Sequence, residues 1–183
     1  MAMITHTEIL EAAIYVFAHK PDATVNDVAK KAGITRVTVN RKFGSKQKLL
    51  DQAASHCIKR FGQVLKKAKS SKKTPIEKII LILRGYYNLK DHYFFMLRII
   101  VDDQSTHKKN YLKQLEIIEE IVIDAQECGE IRQELPPGWV ASFFDFIIIA
   151  ACTSRYRGVV AERDMLGIAL NTLQFGISPQ RAF

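Results

Sequence analysis

The sequence predicts an all-α protein of about nine helices, each at a typical length of ~11–12 residues. Apolar residues recur at helical spacing in most of the chain, and no segment alternates polar and apolar residues over the length of a strand. The 183 residues are 48% hydrophobic and 25% charged, which is the usual composition of a soluble globular protein. This length is enough for one large domain or two small ones.

The positive charge is concentrated at one end of the chain. Residues 1–73 hold 15 Lys+Arg against 5 Asp+Glu, a net of +10, whereas residues 74–183 hold 12 against 14, a net of −2, within a total of +8. This asymmetry favours a nucleic-acid or membrane contact at the N-terminal end. A basic surface that only keeps the protein soluble gives the same counts.

Three helices are predicted at the N-terminal end. The first has Thr5 or Thr7 as its N-cap. Its apolar stripe has five members: Ile9, Leu10, Ala13, Ile14 and Phe17. Thr24 can cap the second helix, with an aspartate three residues later in a capping-box position, and Thr35 can cap the third. Gly33 lies between the second and third helices, where positive φ would turn the chain sharply.

The second and third helices have the spacing of a helix-turn-helix motif. Ala29 is small enough for a close helix crossing, Gly33 follows four residues later, and Val39 and Phe43 lie four apart on the inner face of the third helix. An ordinary α-hairpin with a solvated polar face is the alternative.

The outer face of the third helix carries side chains suited to a DNA major groove. They are Arg36, Thr38, Asn40 and Arg41, with Lys42 nearby. Arginine pairs with guanine through two hydrogen bonds, asparagine pairs with adenine in the same way, and a threonine methyl contacts the thymine methyl. The N-terminus of this helix also favours a phosphate.

Further helices are predicted after residues 66–75, a basic stretch that coincides with the change in charge. Thr74 and Pro75 open one of them as N-cap and first-turn proline. Its stripe contains Ile76, Ile79, Ile80, Leu83, Tyr86 and Tyr87. A later stripe contains Tyr111, Leu112, Leu115, Ile118, Ile121, Val122 and Ala125. Gly129 is the expected C-cap of that helix.

Aromatic residues and methionine are frequent in the C-terminal part and predict an apolar pocket between helices. The candidate lining residues are Tyr86, Tyr87, Met96, Tyr111 and Phe143. The same residues could equally form plain core or a dimer interface. His92 and His107 could contact a ligand, or could be solvated or capping groups near helix ends.

We expect no metal site, cofactor or catalytic activity. Asp102, Asp103 and His107 are the only metal-ligand types at short range, and no further ligand follows at suitable spacing. No phosphate-binding loop or nucleophile motif is present. Within the apolar residues 139–152 only 146–152 are uninterrupted, far short of the ~20 residues of a membrane span. Three cysteines at unrelated spacings indicate free thiols in a reducing cytoplasm.

Residues 8–53 resemble the DNA-binding domain of the TetR family of bacterial transcriptional regulators. Three runs carry the resemblance: Ile9-Leu10-x-Ala12-Ala13-x-x-x-Phe17, Thr24-Val25-x-x-Val28-Ala29-x-x-Ala32-Gly33-Ile34-Thr35, and Thr38-Val39-x-x-x-Phe43-x-Ser45-Lys46-x-x-Leu49-Leu50. The run from Gly129 to Pro137 is similar to the turn before the last two helices of this family.

The resemblance implies a helix-turn-helix domain over residues 1–50 and a connecting helix over about 45–70. It implies an effector-binding and dimerisation domain over residues 74–183, with a homodimer formed through the last two helices. The implied DNA-facing residues are Thr24, Thr35, Arg36, Thr38, Asn40, Arg41, Lys42 and Lys46. Lys46 would meet a phosphate at the start of a helix that Ser45 caps.

The chain departs from the family pattern at two positions of the third helix. Asn40 stands where the family usually has tyrosine, and Val37 stands where a small residue is common. Both changes leave the operator sequence unpredictable.

The sequence therefore predicts a dimeric regulator in the cytoplasm, associated with the nucleoid when it is bound to DNA. Its partners would be a double-stranded operator, which is palindromic because the dimer is two-fold symmetric, and a small-molecule effector that releases it, with no membrane contact. The alternative is a DNA-bound factor whose C-terminal domain holds a protein partner instead of a metabolite.

Overall fold

The computed structural model describes residues 4–20, 22–99 and 106–179, and within these residues the chain forms nine α-helices and no strand. The all-α fold class is therefore confirmed. The helices are α1 His6–His19, α2 Val25–Lys31, α3 Arg36–Phe43, α4 Lys46–Lys69, α5 Pro75–Asn88, α6 Lys90–Ile99, α7 Thr106–Glu127, α8 Pro137–Tyr156 and α9 Glu162–Ile177.

Threonine side chains begin four of these helices. Thr5, Thr24 and Thr74 each form a capping box with an acidic residue three positions later, and Thr35 accepts a hydrogen bond from the Thr38 amide. Each cap satisfies backbone N–H groups that have no partner inside the helix. The predicted caps are confirmed, with Thr5 rather than Thr7 opening α1.

The chain folds into two compact units. Unit 1 consists of Met1–Arg60 and Asp91–Lys108, and unit 2 consists of Phe61–Lys90 and Lys109–Phe183. The sequence predicted a second domain over residues 74–183. In the structure α6 belongs to unit 1, and the functional boundary at residue 74 stays a prediction.

The core of unit 1 is built from the apolar stripes of its helices. α2 packs against both α1 and α3. Fully or nearly fully buried residues from α1 to α4 include Ile9, Ala13, Val28, Ala29, Val39, Phe43 and Leu49. From α6, Tyr93, Phe95 and Met96 are also buried. Small and β-branched residues at the crossing of α2 and α3 allow the two short helices to approach closely.

Unit 2 is organised around the pairing of α8 with α9, and α5 contacts both. Its largest buried side chains include Phe61, Tyr86 and Phe144. After α7 ends at Glu127, Gly129 takes a φ of +70° and the Glu130 amide donates to the Ala125 carbonyl at 2.8 Å. The predicted C-cap glycine is thus confirmed.

The helix α8 is apolar over most of its length. Residues Pro137–Ser154 have a mean hydropathy of 1.4, and by length and composition alone this stretch could cross a membrane. In unit 2 it packs against α5 and α9, with Val140, Phe144 and Ile148 buried. Core helices of soluble proteins share this length and composition.

Candidate nucleic-acid interface

The turn between α2 and α3 has the geometry that a helix-turn-helix requires. Gly33 takes a φ of +66°, and the Ile34 amide then donates to the Ala29 carbonyl at 3.0 Å. A residue with a side chain would be strained in this left-handed region. The Ala29 side chain is 1% exposed, which places the start of the turn against the core.

The helix α3 divides cleanly into a buried and an exposed face. Val39 and Phe43 are 1% and 3% exposed, so they anchor the helix in unit 1. The remaining side chains of α3 point outward: Arg36, Val37, Asn40, Arg41 and Lys42 are exposed and Thr38 is half-buried. The predicted inner face is confirmed, and the outer face holds the two arginines and the amide that can read base edges.

Two threonines at the N-terminus of α3 are already engaged with each other. The Thr38 amide donates to Thr35 Oγ1 at 3.2 Å, and the two hydroxyls lie 3.0 Å apart. Thr24 is engaged in the same way, since the Asp27 carboxylate accepts from both its amide and its hydroxyl at 2.8 and 2.6 Å. These bonds lower the pKa of Asp27. Thr24 and Thr35 therefore begin helices α2 and α3. The contact of Thr24, Thr35 and Thr38 with DNA stays a prediction.

Lys46 begins α4 beside the helix-turn-helix. Its Nζ donates to the Ala23 carbonyl at 2.7 Å and lies 5.1 Å from the Phe17 ring centre. Ser45 caps α4 by accepting from the Lys48 amide at 3.2 Å. Because an ammonium has three N–H donors, the bond to Ala23 holds the cation in place and leaves capacity for a phosphate.

The predicted effector residues fall into both units. Tyr86, Tyr87, Tyr111 and Phe143 belong to unit 2, whereas Met96 belongs to unit 1. The three tyrosines are buried and Phe143 is half-buried. The lining of an effector pocket by these residues stays a prediction.

Two cavities in unit 2 have other linings. An open depression of about 510 Å³ lies between the end of α4 and α7, and a smaller one of about 100 Å³ lies between α8 and α9. None of the predicted effector residues lines either cavity.

A buried carboxylate that sequence reasoning missed lies beside two of these tyrosines. The Tyr111 hydroxyl on α7 donates to the Asp145 carboxylate on α8. Burial raises the pKa of Asp145 to about 7. Burial, together with the charges of Tyr111 and Asp145, raises the pKa of Tyr86 as well. The sequence showed Asp145 only as an interruption of an apolar run, but a lone acid on an apolar helix is itself a signal.

The two histidines singled out from the sequence both lie in unit 1. His107 Nε2 lies 2.7 Å from an Asp51 carboxylate oxygen, so it acts within unit 1. His92 is 7% exposed, which contradicts the expectation of a solvated group. Asp102 and Asp103, which were considered with His107, lie outside the described residues.

Comparison with known proteins bears directly on this interface. Residues 9–53 match the model of the family described as bacterial regulatory proteins, tetR family. The chain is 19% identical over 166 residues to the HTH-type transcriptional regulator NfxB of Pseudomonas aeruginosa, which covers 88% of this chain and 89% of that protein.

Two solved structures share the fold over almost the whole chain. The ketosteroid transcriptional regulator KstR2 of Mycobacterium tuberculosis superposes with a TM-score of 0.76 at 16% identity, covering 97% of this chain and 98% of that one. The TetR-like transcriptional regulator LfrR from Mycobacterium smegmatis, in complex with proflavine, gives a TM-score of 0.70 at 22% identity, covering 95% and 96%.

The exposed recognition helix and the relatives together define the class of protein: a DNA-binding transcriptional regulator of the helix-turn-helix type, and not an enzyme. The match over α1 to α4 and the shared fold beyond it narrow this further. Residues 9–53 carry the DNA-binding domain of the tetR family, and the fold of the whole chain is similar to that of TetR-like regulators.

Proposed function

We propose that the protein is a dimeric, sequence-specific repressor, which a small-molecule effector releases from a palindromic operator. The observation that carries this proposal is the division of α3 into a buried face at Val39 and Phe43 and an exposed face with Arg36, Asn40 and Arg41. A rigid helix that presents such side chains fits a major groove. Lys42 and Lys46 beside it supply phosphate contacts, which add affinity that depends on salt.

The last two helices are the proposed dimer interface. Trp139 and Phe146 lie seven residues apart on α8 and are 64% and 66% exposed. Ile168 and Phe175 lie seven apart on α9 and are 50% and 85% exposed. Residues at this spacing share one helix face, so each helix carries an exposed apolar stripe. Large exposed apolar side chains on two helices that pack together favour an interaction site.

The proposed effector site lies among the helices of unit 2. Tyr86 stacks near Phe61 and Phe144, at ring-centre distances of 4.9 and 5.9 Å. Asp145 and Tyr111 add hydrogen-bonding groups to this aromatic surrounding. Apolar walls with a few polar groups are typical of small-molecule sites. A carboxylate at this position favours a neutral or cationic effector. The effector releases DNA only if it binds the two conformations of the dimer with different affinity.

A binding selection with purified protein and random duplex DNA tests the regulatory proposal. We expect a palindromic site, and we expect Arg41→Ala to weaken its binding by roughly 10- to 100-fold because a base contact is lost. Lys113→Ala is the matched control, since Lys113 is an exposed cation on α7. Failure to bind any duplex at low salt would exclude DNA as the partner.

A protein partner of the C-terminal domain is the second candidate. The exposed stripes on α8 and α9 favour it as much as they favour a second copy of the chain. Measurement of the oligomeric state separates the two, because a monomer with these stripes uncovered would point to a different protein on α8 and α9. In either case we expect the protein to bind DNA in the cytoplasm.

A further inference from the structure

Three helices of unit 1 bring together two imidazoles and one carboxylate. Glu11 comes from α1, His56 from α4 and His92 from α6. His56 Nε2 lies 2.9 Å from Glu11 Oε1, and His92 Nε2 lies 3.1 Å from Glu11 Oε2. One ligand atom from each residue lies within 4.8 Å of the others. Among the residues that the structure describes, this is the one group of three His, Cys, Asp or Glu side chains that could hold a metal ion.

We propose that Glu11, His56 and His92 form a binding site for a divalent transition metal of the zinc type. Two imidazole nitrogens and one carboxylate oxygen are a ligand set that zinc accepts with a water in the fourth position. Calcium and magnesium prefer sites made of oxygen alone. The mixed set therefore favours Zn²⁺, Co²⁺ or Ni²⁺.

The geometry requires only small movements of side chains. Ligand atoms around tetrahedral zinc, with bonds of ~2.0–2.2 Å, lie ~3.3 Å apart. The two distances from Glu11 are close to this value but involve its two different carboxylate oxygens. For one oxygen and both imidazoles to share a metal, the carboxylate must turn and the two histidines must approach each other, starting from ligand atoms that lie within 4.8 Å of one another. The ring centres of His56 and His92 are 6.0 Å apart with the planes tilted by 33°.

The burial of the three residues suits a site that solvent can reach. The His92 and His56 side chains are 9% and 14% exposed, whereas Glu11 is 37% exposed. The imidazoles are therefore held by packing, and Glu11 provides the entry path that a metal site needs.

Arg60 opposes a cation at this place. Its guanidinium Nη1 lies 3.8 Å from Glu11 Oε1, so it competes for the carboxylate. Since 42% of the Arg60 side chain is exposed, the guanidinium can turn into solvent when a metal enters. Loss of a ligand should therefore weaken metal binding, whereas loss of Arg60 should strengthen it.

Calorimetric titration of the full chain with ZnCl₂, without a histidine tag and after removal of metal by a chelator, tests the site. We expect one Zn²⁺ per chain. Glu11→Gln keeps the shape of the half-exposed side chain. It should weaken Zn²⁺ binding by at least ~100-fold, because mutation of a residue that only hydrogen-bonds to a metal ligand already costs up to ~100-fold. His92→Asn should do the same, whereas Arg60→Gln should tighten binding. The visible absorption spectrum of the wild type with bound Co²⁺ should be that of a four-coordinate site with nitrogen ligands.

His19→Asn is the matched control, because His19 also faces a carboxylate, Asp91, at 2.8 Å, and no third ligand joins this pair among the residues that the structure describes. Circular dichroism establishes that each variant is folded, and Glu11→Gln keeps the test valid if His92→Asn does not fold. Absence of stoichiometric Zn²⁺ binding to the folded wild type would show that the cluster is only a hydrogen-bonded ion pair. Equal loss in His19→Asn would place the metal elsewhere. These readouts need no DNA, so they stand apart from the proposed regulatory function.

Discussion

The hydroxyl of Tyr111 on α7 donates a hydrogen bond to the carboxylate of Asp145 on α8, which follows 34 residues later in the chain. Tyr111 is 9% exposed and burial raises its pKa, as it raises that of Asp145. A carboxyl group with a raised pKa binds a proton more readily in the folded chain than in the unfolded one. The pair therefore links the stability of unit 2 to pH.

The first prediction concerns the pH dependence of stability at Asp145. The pKa of its carboxyl rises from 3.8 to about 7 on folding, so the folded state holds more protons between these values and loses stability as pH rises through them. Asp145→Asn removes this dependence. The upper limit of the effect is about 4 kcal/mol at 1.36 kcal/mol per pKa unit, and we expect roughly half.

Urea unfolding of both chains at pH 5 and pH 8 measures this effect. Asp145→Asn should be more stable than the wild type at pH 8, with a much smaller difference at pH 5. An exposed acid on the same unit, Glu116, supplies the control Glu116→Gln. If the wild type and Asp145→Asn respond to pH in parallel, the buried carboxyl does not titrate in this range.

The second prediction concerns the crossing of α4 and α5 in unit 2. A Cβ on Gly85 would overlap Cγ1 of Val64. Gly85→Ala should therefore destabilise the chain by ~1–3 kcal/mol, as overpacking does, despite the better helix propensity of alanine. Val64→Ala removes the obstructing methyl groups, and in the double variant Gly85→Ala should become neutral or favourable.

Thermal unfolding of the four chains in a double-mutant cycle gives the coupling between these positions. Gly167→Ala on α9 is the matched control, because a Cβ there meets no atom within 4 Å and the helix should gain stability. Simple additivity between Gly85→Ala and Val64→Ala would mean that the two helices do not approach as closely as described.

The third prediction separates base contacts from phosphate contacts on α3. Asn40 and Lys42 are both exposed, but an amide can read adenine while an ammonium acts as a point charge. Asn40→Ala should relax the preference for one base of the operator, at a cost of about 1–3 kcal/mol for that sequence. Lys42→Ala should weaken all sequences alike and reduce the slope of log affinity against log salt by ~1.

Fluorescence anisotropy with the selected operator and with single-base variants at several salt concentrations measures both effects. Asn40→Gln keeps the amide on a longer side chain and serves as the control for loss of the functional group. The assignment of Asn40 to a base edge would be wrong if Asn40→Ala changed the affinity for all bases equally.

Local signals in the sequence predicted most of the fold and the recognition helix. Thr24, Gly33 and Thr35 act through backbone groups a few residues away, so their roles could be read from spacing alone. The cluster of Glu11, His56 and His92 could not, because these residues are separated by 45 and 36 positions and meet only through packing of α1, α4 and α6. Its members look like ordinary polar residues of three separate helices.

Membership of α6 in unit 1 had no local signal either. The stripe at Tyr93, Phe95 and Met96 indicates only that this helix has a buried side. Nothing in that spacing says which neighbour covers it. The grouping of Met96 with Tyr86 rested on composition, and it stays a prediction.

The last prediction concerns the exposed stripes of α8 and α9. Phe146 and Phe175 are aromatic, 66% and 85% exposed, and seven residues from Trp139 and Ile168 respectively. Large aromatic side chains at the centre of an interface commonly contribute ~2 kcal/mol or more, which corresponds to roughly 30-fold in a dissociation constant. Phe175→Glu should therefore shift the protein from dimer to monomer in sedimentation velocity. The emission maximum of Trp139 should move to longer wavelength, because its indole becomes exposed to water. Leu112→Glu on α7 is the control, because Leu112 is 45% exposed outside these stripes and its replacement should leave the dimer intact. If the dimer persists in both Phe175→Glu and Phe146→Glu, the chain dimerises through a surface other than α8 and α9. The two copies of α3 would then be related by a different two-fold axis.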